Sequence, residues 1–111
     1  MEKLVFSVCV KLEPNRGYEA TLQDKKFCRQ VSFTKVFVCE TTEEAAKYGF
    51  AEFFNRSLIE LDVNGITPEL CNYSRDKRSG PDEDGTIIFT VDTENSDFHI
   101  KISVSPLPIN F

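Results

Sequence analysis

The sequence predicts an α+β fold: a largely antiparallel sheet of about five strands, in the order β-β-β-α-β-β, with one amphipathic helix packed on one face. Three observations support this prediction. Apolar residues alternate with polar ones from Leu4 to Leu12, an apolar stripe with helical spacing runs through about Thr41–Leu61, and alternation returns twice after residue 85. A period of two indicates a strand with one buried face, whereas a period of 3.6 indicates a helix.

The N-terminal third of the chain predicts three strands. From Leu4 to Leu12 every second residue is apolar, which is typical of a strand that is buried on one side. Residues 18–23 alternate more weakly, so we expect a second strand that forms a hairpin with the first across the turn at 13–17. The segment from Val31 to Cys39 is rich in Val, Phe and Thr and is apolar on both sides, which favours an interior strand.

The predicted helix begins with a capping box. Thr41 is the expected N-cap, and Glu44 stands three residues later, where its side chain can reach back to the cap. Gly49 lies beside the apolar stripe, so we expect it to let the helix approach the sheet closely. The stripe that we expect to face the core consists of Ala46, Phe50, Phe53, Phe54, Leu58 and Leu61.

The segment after the helix predicts a loop and a C-terminal hairpin. Residues 67–71 favour a short helical turn, and residues 74–85 contain no apolar side chain, so we expect a flexible surface loop at about 74–85. Alternation over 86–91 and 98–104 predicts two strands joined by a polar turn. The tail 105–111 is apolar but rich in proline, so we expect it to leave the sheet and pack on the core or on another chain.

Length and composition indicate a single domain over residues 1–111. A chain of this length has room for one core, and its ten Phe residues supply much apolar area although the hydrophobic content is 41%. No apolar run approaches the roughly 20 residues needed to span a bilayer. The first residues lack a small-residue cleavage site and lead directly into the first strand, so we expect a cytoplasmic protein.

The four cysteines are dispersed along the chain. Cys9, Cys28, Cys39 and Cys71 include no C-x-x-C pair, and the chain has one histidine. Structural zinc sites usually use close pairs of Cys or His ligands. We therefore expect reduced thiols, no metal site and no cofactor.

The net charge of −5 originates in the C-terminal third. Residues 1–78 are balanced, whereas residues 79–111 hold six carboxylates against Lys101 alone. This distribution argues against direct binding of DNA or RNA, because phosphate contacts need clustered Lys and Arg. It permits a protein partner with a basic surface, although acidic turns also serve solubility. The candidate binding residues are Asp82, Glu83, Asp84, Asp92, Glu94 and Asp97.

No motif in the sequence predicts an active site. His99 is expected on the outward face of a strand, and no local Cys or Ser signature accompanies it. The acidic run 82–85 ends like a calcium loop, but Gly80 and Val91 occupy two of the ligand positions that such a loop requires. A small enzyme that uses Cys39 or Cys71 with His99 stays an alternative.

These observations favour a non-catalytic protein-binding module with no membrane partner. In composition, and in no motif, the chain resembles small acidic proteins of phages and other mobile elements, anti-CRISPR proteins among them. The resemblance implies that the acidic hairpin and loop dock onto a basic, nucleic-acid-binding protein and inhibit it. A structural alternative is self-association, for example as a homodimer, through an exposed sheet edge or the apolar tail.

Overall fold

The computed structural model describes residues 3–71 and 77–108 of the chain. A five-stranded antiparallel sheet with the strand order β2-β1-β5-β4-β3 carries two helices on one face. The predicted α+β class is therefore confirmed, and the predicted element order is wrong at two places, since helix α1 replaces the second predicted strand and an additional short strand lies in the predicted loop. The elements are β1 (Leu4–Pro14), α1 (Leu22–Val31), β2 (Phe33–Cys39), α2 (Thr42–Val63), a 3-10 turn (Pro68–Leu70), β3 (Arg78–Ser79), β4 (Ile87–Asp92) and β5 (Phe98–Pro106).

The helix-covered face of the sheet forms the core. The register of β1 against β5 sets Val8 opposite Val104 and Val10 opposite Ile102, and all four side chains are fully buried. Burial of an aliphatic side chain of this size stabilises a fold by about 1.5–3 kcal/mol. The other buried residues of the sheet are Phe6, Leu12, Cys39, Phe89, Val91, Phe98 and Ile100.

The segment that weak alternation predicts as a second strand leads instead into helix α1. Thr21 caps this helix: its Oγ1 accepts a hydrogen bond from Asp24 N at 3.1 Å, and Asp24 Oδ2 accepts one from Thr21 N at 2.9 Å. Tyr18 Oη donates to the same Asp24 oxygen at 2.6 Å. This bond is the main cause of a lowered pKa at Asp24 and of a pKa raised to about 12 at Tyr18. The helix signal of a reciprocal capping box is thus stronger than the strand signal of three alternating residues.

The pairing of β1 also differs from the sequence-based expectation. The predicted hairpin between the first strand and residues 18–23 is wrong, because β1 pairs with β2 and β5 instead. The segment predicted as an interior strand is the edge strand β2, whose Val36 and Val38 are 53% and 58% exposed. The presence of apolar residues on both faces of β2 thus does not mean that both faces are buried.

The short strand β3 lies within the segment that the sequence predicts as a loop. In β3, Arg78 stands opposite Phe89 and Ser79 opposite Ile88. The following residues form a tight turn in which Asp82 N donates to the carbonyl of Thr86. Residues 74–76 of the predicted loop lie outside the described part of the chain.

The last strand runs further than the prolines of the tail led us to expect. Pro106 stands opposite Phe6, and Leu107 N donates to Val5 O of β1 at 2.9 Å. Hydrogen-bonding direction alternates along a strand, so the nitrogen of Pro106 faces away from β1. On that side β4 begins only at Ile87, which stands opposite Val104, so Pro106 has no partner in β4. No ladder hydrogen bond is lost there. Residues 109–111 of the predicted tail lie outside the described residues.

Helix α2 approaches the sheet closely at Gly49, as the sequence predicts. A Cβ atom at Gly49 would lie 2.6 Å from Val8 Cγ1 and 3.2 Å from Val10 Cγ2. The expected N-cap is present, since Thr41 Oγ1 accepts from Glu44 N at 3.1 Å. The Glu44 side chain accepts from Glu40 N rather than from the cap, so the predicted capping box is half formed.

The apolar stripe of α2 is interrupted at Ser57. The backbone there is non-helical, with φ −134° and ψ 33°, and this break changes which face of the helix meets the core. Phe53, Phe54 and Leu61 are buried, whereas Leu58, which we expected in the core, is 54% exposed. A prediction that assumes an unbroken helix through residue 57 therefore assigns residues of the last turns to the wrong face.

Replacing Gly49 with Ala tests the packing of α2 on β1. Ala is favoured over Gly in a helix interior by about 1 kcal/mol, but the added methyl group would collide with the fully buried Val8. We expect the steric effect to win and the free energy of unfolding, measured in urea, to fall by about 1–3 kcal/mol. Ala51→Gly on the exposed side of α2 is the control for propensity alone. A Gly49→Ala variant as stable as the wild type would contradict the close approach.

Candidate functional site

The six predicted binding carboxylates form two separate groups. Strand β4 lies between them and spans about 17 Å at 3.3–3.4 Å per residue. The structure therefore does not bring the six residues together. Asp82, Glu83 and Asp84 belong to the turn before β4, and Asp92, Glu94 and Asp97 lie at and after its end.

Two of the six carboxylates serve the fold. Asp82 Oδ1 accepts hydrogen bonds from Asp84 N at 2.9 Å and from Thr86 N at 3.0 Å, which fixes the turn before β4. Asp92 forms an ion pair with Lys77. The carboxylates of Glu83, Asp84, Glu94 and Asp97 accept no hydrogen bond from the residues that the structure describes, so these four are available to a partner.

The turn after β4 meets the C-terminal end of α2. Asn95 Nδ2 donates to Asn64 O at 2.7 Å, and Asn64 Nδ2 donates to Glu60 O at 2.8 Å. Glu60 and Asp62 are exposed in the last turns of α2, which carry no basic residue. The helix dipole adds negative potential at this end. We call the four carboxylates Glu60, Asp62, Glu94 and Asp97 the acidic end. Of these, only Glu94 and Asp97 are among the binding residues that the sequence predicts.

Exposed apolar side chains lie in the same turns of α2. Ile59 is 75% exposed and Val63 is 79% exposed, and the two are one helical turn apart. Leu58 joins them because of the break at Ser57. The last turns of α2 therefore carry exposed apolar side chains together with the exposed carboxylates of Glu60 and Asp62.

The second face of the sheet carries neither of the two described helices, and small side chains fill its middle. Ser7 of β1 stands between Val36 of β2 and Ser105 of β5, and Cys9 stands opposite Ser103. We call this surface the uncovered face. Apolar residues lie towards its two sides and charged residues at one end. Its members include Val5, Ser7, Cys9, Lys11, Glu13, Thr34, Val36, Val38, Ile88, Thr90, Asp92, His99, Lys101, Ser103 and Ser105.

His99 on the uncovered face is held in one tautomer by its neighbours. Asn15 Nδ2 donates to the carbonyls of Ser96 at 2.6 Å and Phe98 at 3.2 Å, so Asn15 Oδ1 must be the atom that faces His99 Nδ1, at 2.8 Å. An amide oxygen only accepts, so Nδ1 carries the proton and donates. His99 Nε2 is left facing Glu13 Oε1 at 4.0 Å.

The structure does not place Cys39 close to His99. Cys39 stands opposite Leu4 and His99 opposite Glu13, nine residues apart along β1, or about 30 Å. Burial raises the pKa of Cys39 and raises that of Cys71 to about 11, so both thiols are protonated and weakly nucleophilic at neutral pH.

Within residues 3–71 and 77–108, no three His, Cys, Asp or Glu side chains are grouped closely enough to hold a metal ion. No helix in that part of the chain is both long enough and apolar enough to cross a membrane.

The outer edge of β2 offers unpaired backbone groups. Leu12 N points towards β2, where it donates to Ser32 Oγ at 3.2 Å, so the even-numbered residues of β1 bond with β2. Their partners are Phe33, Lys35, Phe37 and Cys39. The N–H and C=O groups of Thr34, Val36 and Val38 therefore point outward, and no described residue pairs with them.

No protein-family model, no curated protein and no solved structure matches this chain. Any functional conclusion therefore rests on the surfaces described above.

The geometry around His99 predicts its tautomer. We expect neutral His99 to carry its proton on Nδ1, because Asn15 offers only an oxygen to that atom. Nitrogen-15 NMR chemical shifts of the neutral imidazole distinguish the two tautomers. Asn15→Ala is expected to release the ring into a mixture of both. A proton found on Nε2 in the wild type would contradict the assigned orientation of Asn15.

Proposed function

We propose that this chain is a non-catalytic protein-binding module whose acidic end binds a basic surface of a partner protein. The observation that carries the proposal is the Asn95–Asn64 hydrogen bond, because it joins two acidic segments that are about 30 residues apart in sequence. The acidic end then combines four carboxylates with the C-terminal dipole of α2.

The composition of the acidic end supports binding to protein rather than mere solubility. Carboxylates alone would steer a basic partner and speed its association. Ile59 and Val63, which are largely exposed, add apolar area that becomes favourable only when a partner covers it. A basic surface with apolar side chains between its cations matches both properties.

A sharper form of the proposal concerns what the partner does. If the partner uses the same basic surface to bind nucleic acid, the chain inhibits it by competition, as its composition suggests. Such an inhibitor blocks nucleic-acid binding in proportion to its occupancy, and added salt weakens both complexes. The turn with Glu83 and Asp84, at the other end of β4, provides a second acidic contact in this form.

Self-association is a second candidate, favoured by one observation. The edge strand β2 contains no proline, exposes Val36 and Val38, and presents unpaired backbone groups. Edges of this kind pair readily with other strands.

Neutralising the acidic end tests the proposed function. The test variant carries Glu60→Gln, Asp62→Asn, Glu94→Gln and Asp97→Asn. The control variant has the same net charge and carries Glu19→Gln, Glu40→Gln and Glu69→Lys, all at exposed positions outside the proposed contacts. Proteins captured from the native host by the wild type are purified, and their affinities for both variants are measured at low and high salt.

We expect the test variant to lose at least tenfold in affinity, the control to change by less than threefold, and wild-type binding to weaken steeply with salt. Each exposed charge pair contributes little alone, whereas several in one patch act together. Equal losses in both variants would show that only net charge matters. Binding that is insensitive to salt would contradict a basic partner surface.

A further inference from the structure

We propose that the free edge of β2 binds an extended peptide of a partner protein, and that this peptide carries a carboxylate towards α2. The surface is distinct from the acidic end, and the inference goes beyond the function proposed for that end. Peptides commonly bind by adding a strand to an exposed sheet edge, with backbone hydrogen bonds giving affinity and alternate side chains giving specificity.

The backbone of β2 is ready for such an addition. Thr34, Val36 and Val38 turn their N–H and C=O groups away from β1, and no described residue accepts or donates there. Their side chains lie on the uncovered face, where the two valines are more than half exposed. An added strand would pair with these backbone groups and set every second side chain against the valines.

Helix α2 forms a wall along the same edge, on the opposite face. Three of its residues, one turn apart, each contact one residue of β2. The ring centroids of Tyr48 and Phe37 are 6.1 Å apart, Glu52 Oε1 lies 3.3 Å from Lys35 Nζ, and the Arg56 guanidinium lies 4.4 Å from the centre of the Phe33 ring. The side chains of Tyr48, Lys35 and Arg56 are half exposed beside the edge.

The charge of this wall selects a carboxylate. Lys35 Nζ and Arg56 Nε both bind the same oxygen of Glu52, each at 3.3 Å. Two cations thus share one carboxylate, and one positive charge is left uncompensated beside the edge. An Asp or Glu of the added strand would face these cations across about 5 Å, the usual spacing between paired strands.

A second copy of this chain does not supply that carboxylate. The residues of β2 on the helix side are Phe33, Lys35, Phe37 and Cys39, none of which is acidic. Pairing two β2 edges about a twofold axis would set Lys35 against one of these four. It would also bring two sets of Lys35 and Arg56 together. A partner peptide with an acidic residue therefore fits the edge better than β2 itself.

The test uses a displayed library of random ten-residue peptides, selected on the full chain. Val36→Pro removes an outward N–H and leaves the ladder with β1 intact, because proline is tolerated on an edge strand with its nitrogen facing solvent. Val36→Thr keeps the N–H and the β-branched shape and is the matched control. Far-UV circular dichroism and urea unfolding establish that both variants are folded.

We expect selected peptides to alternate β-branched residues with Asp or Glu. Their affinity should fall at least tenfold for Val36→Pro, change less than threefold for Val36→Thr, and rise for Glu52→Gln, which exposes the two cations. The proposal is overturned if no peptide prefers the wild type over Val36→Pro, or if selected peptides lack acidic residues. It is also overturned if sedimentation shows a wild-type dimer that Val36→Pro dissociates, because the occupant is then a second copy.

Discussion

The close contact between α2 and β1 determines which surfaces of this protein are open. Gly49 has no side chain, so the helix lies directly on Val8 and Val10, and an ordinary side chain there would push the two layers apart. Both helices share this face of the sheet, and the alternation of β1 and β5 directs all the buried apolar side chains of these strands towards it. None of the described residues covers the other face or the outer edge of β2.

Two candidate binding surfaces follow from this arrangement, and they differ in charge. At the acidic end, the last turns of α2 after the break at Ser57 carry two carboxylates and exposed apolar side chains, and the turn with Glu94 is joined to the end of α2 through Asn95 and Asn64. Along β2, unpaired backbone groups lie beside two cations that share Glu52. We propose a basic surface for the first and an extended acidic peptide for the second. Neither surface needs a nucleophile or a metal ion, in keeping with a binding role.

Sequence patterns predicted the fold best where one local signal acted alone. The alternation in β1 and in the C-terminal hairpin, and the cap at Thr41, gave the right elements. The strand predicted at 18–23 is wrong because Thr21 and Asp24 form a capping box that begins a helix there, and this local signal is stronger than the alternation of three residues. Strand order depends on contacts between distant segments, so the edge position of β2 was not predictable from its own residues. For the same reason, no pattern in the sequence predicts that the end of α2, with Glu60 and Asp62, meets the turn containing Glu94.

Amide hydrogen exchange along β2, followed by NMR on dilute protein, tests the central claim most directly. The claim is that the sheet ends at β2 with one row of backbone groups unpaired. The amides of Phe33, Lys35 and Phe37, which bond with β1, should be protected by orders of magnitude relative to an unfolded chain. Those of Thr34, Val36 and Val38 should exchange almost as fast as unprotected amides. Equal protection of both sets would mean that the edge is already covered, and would contradict the account.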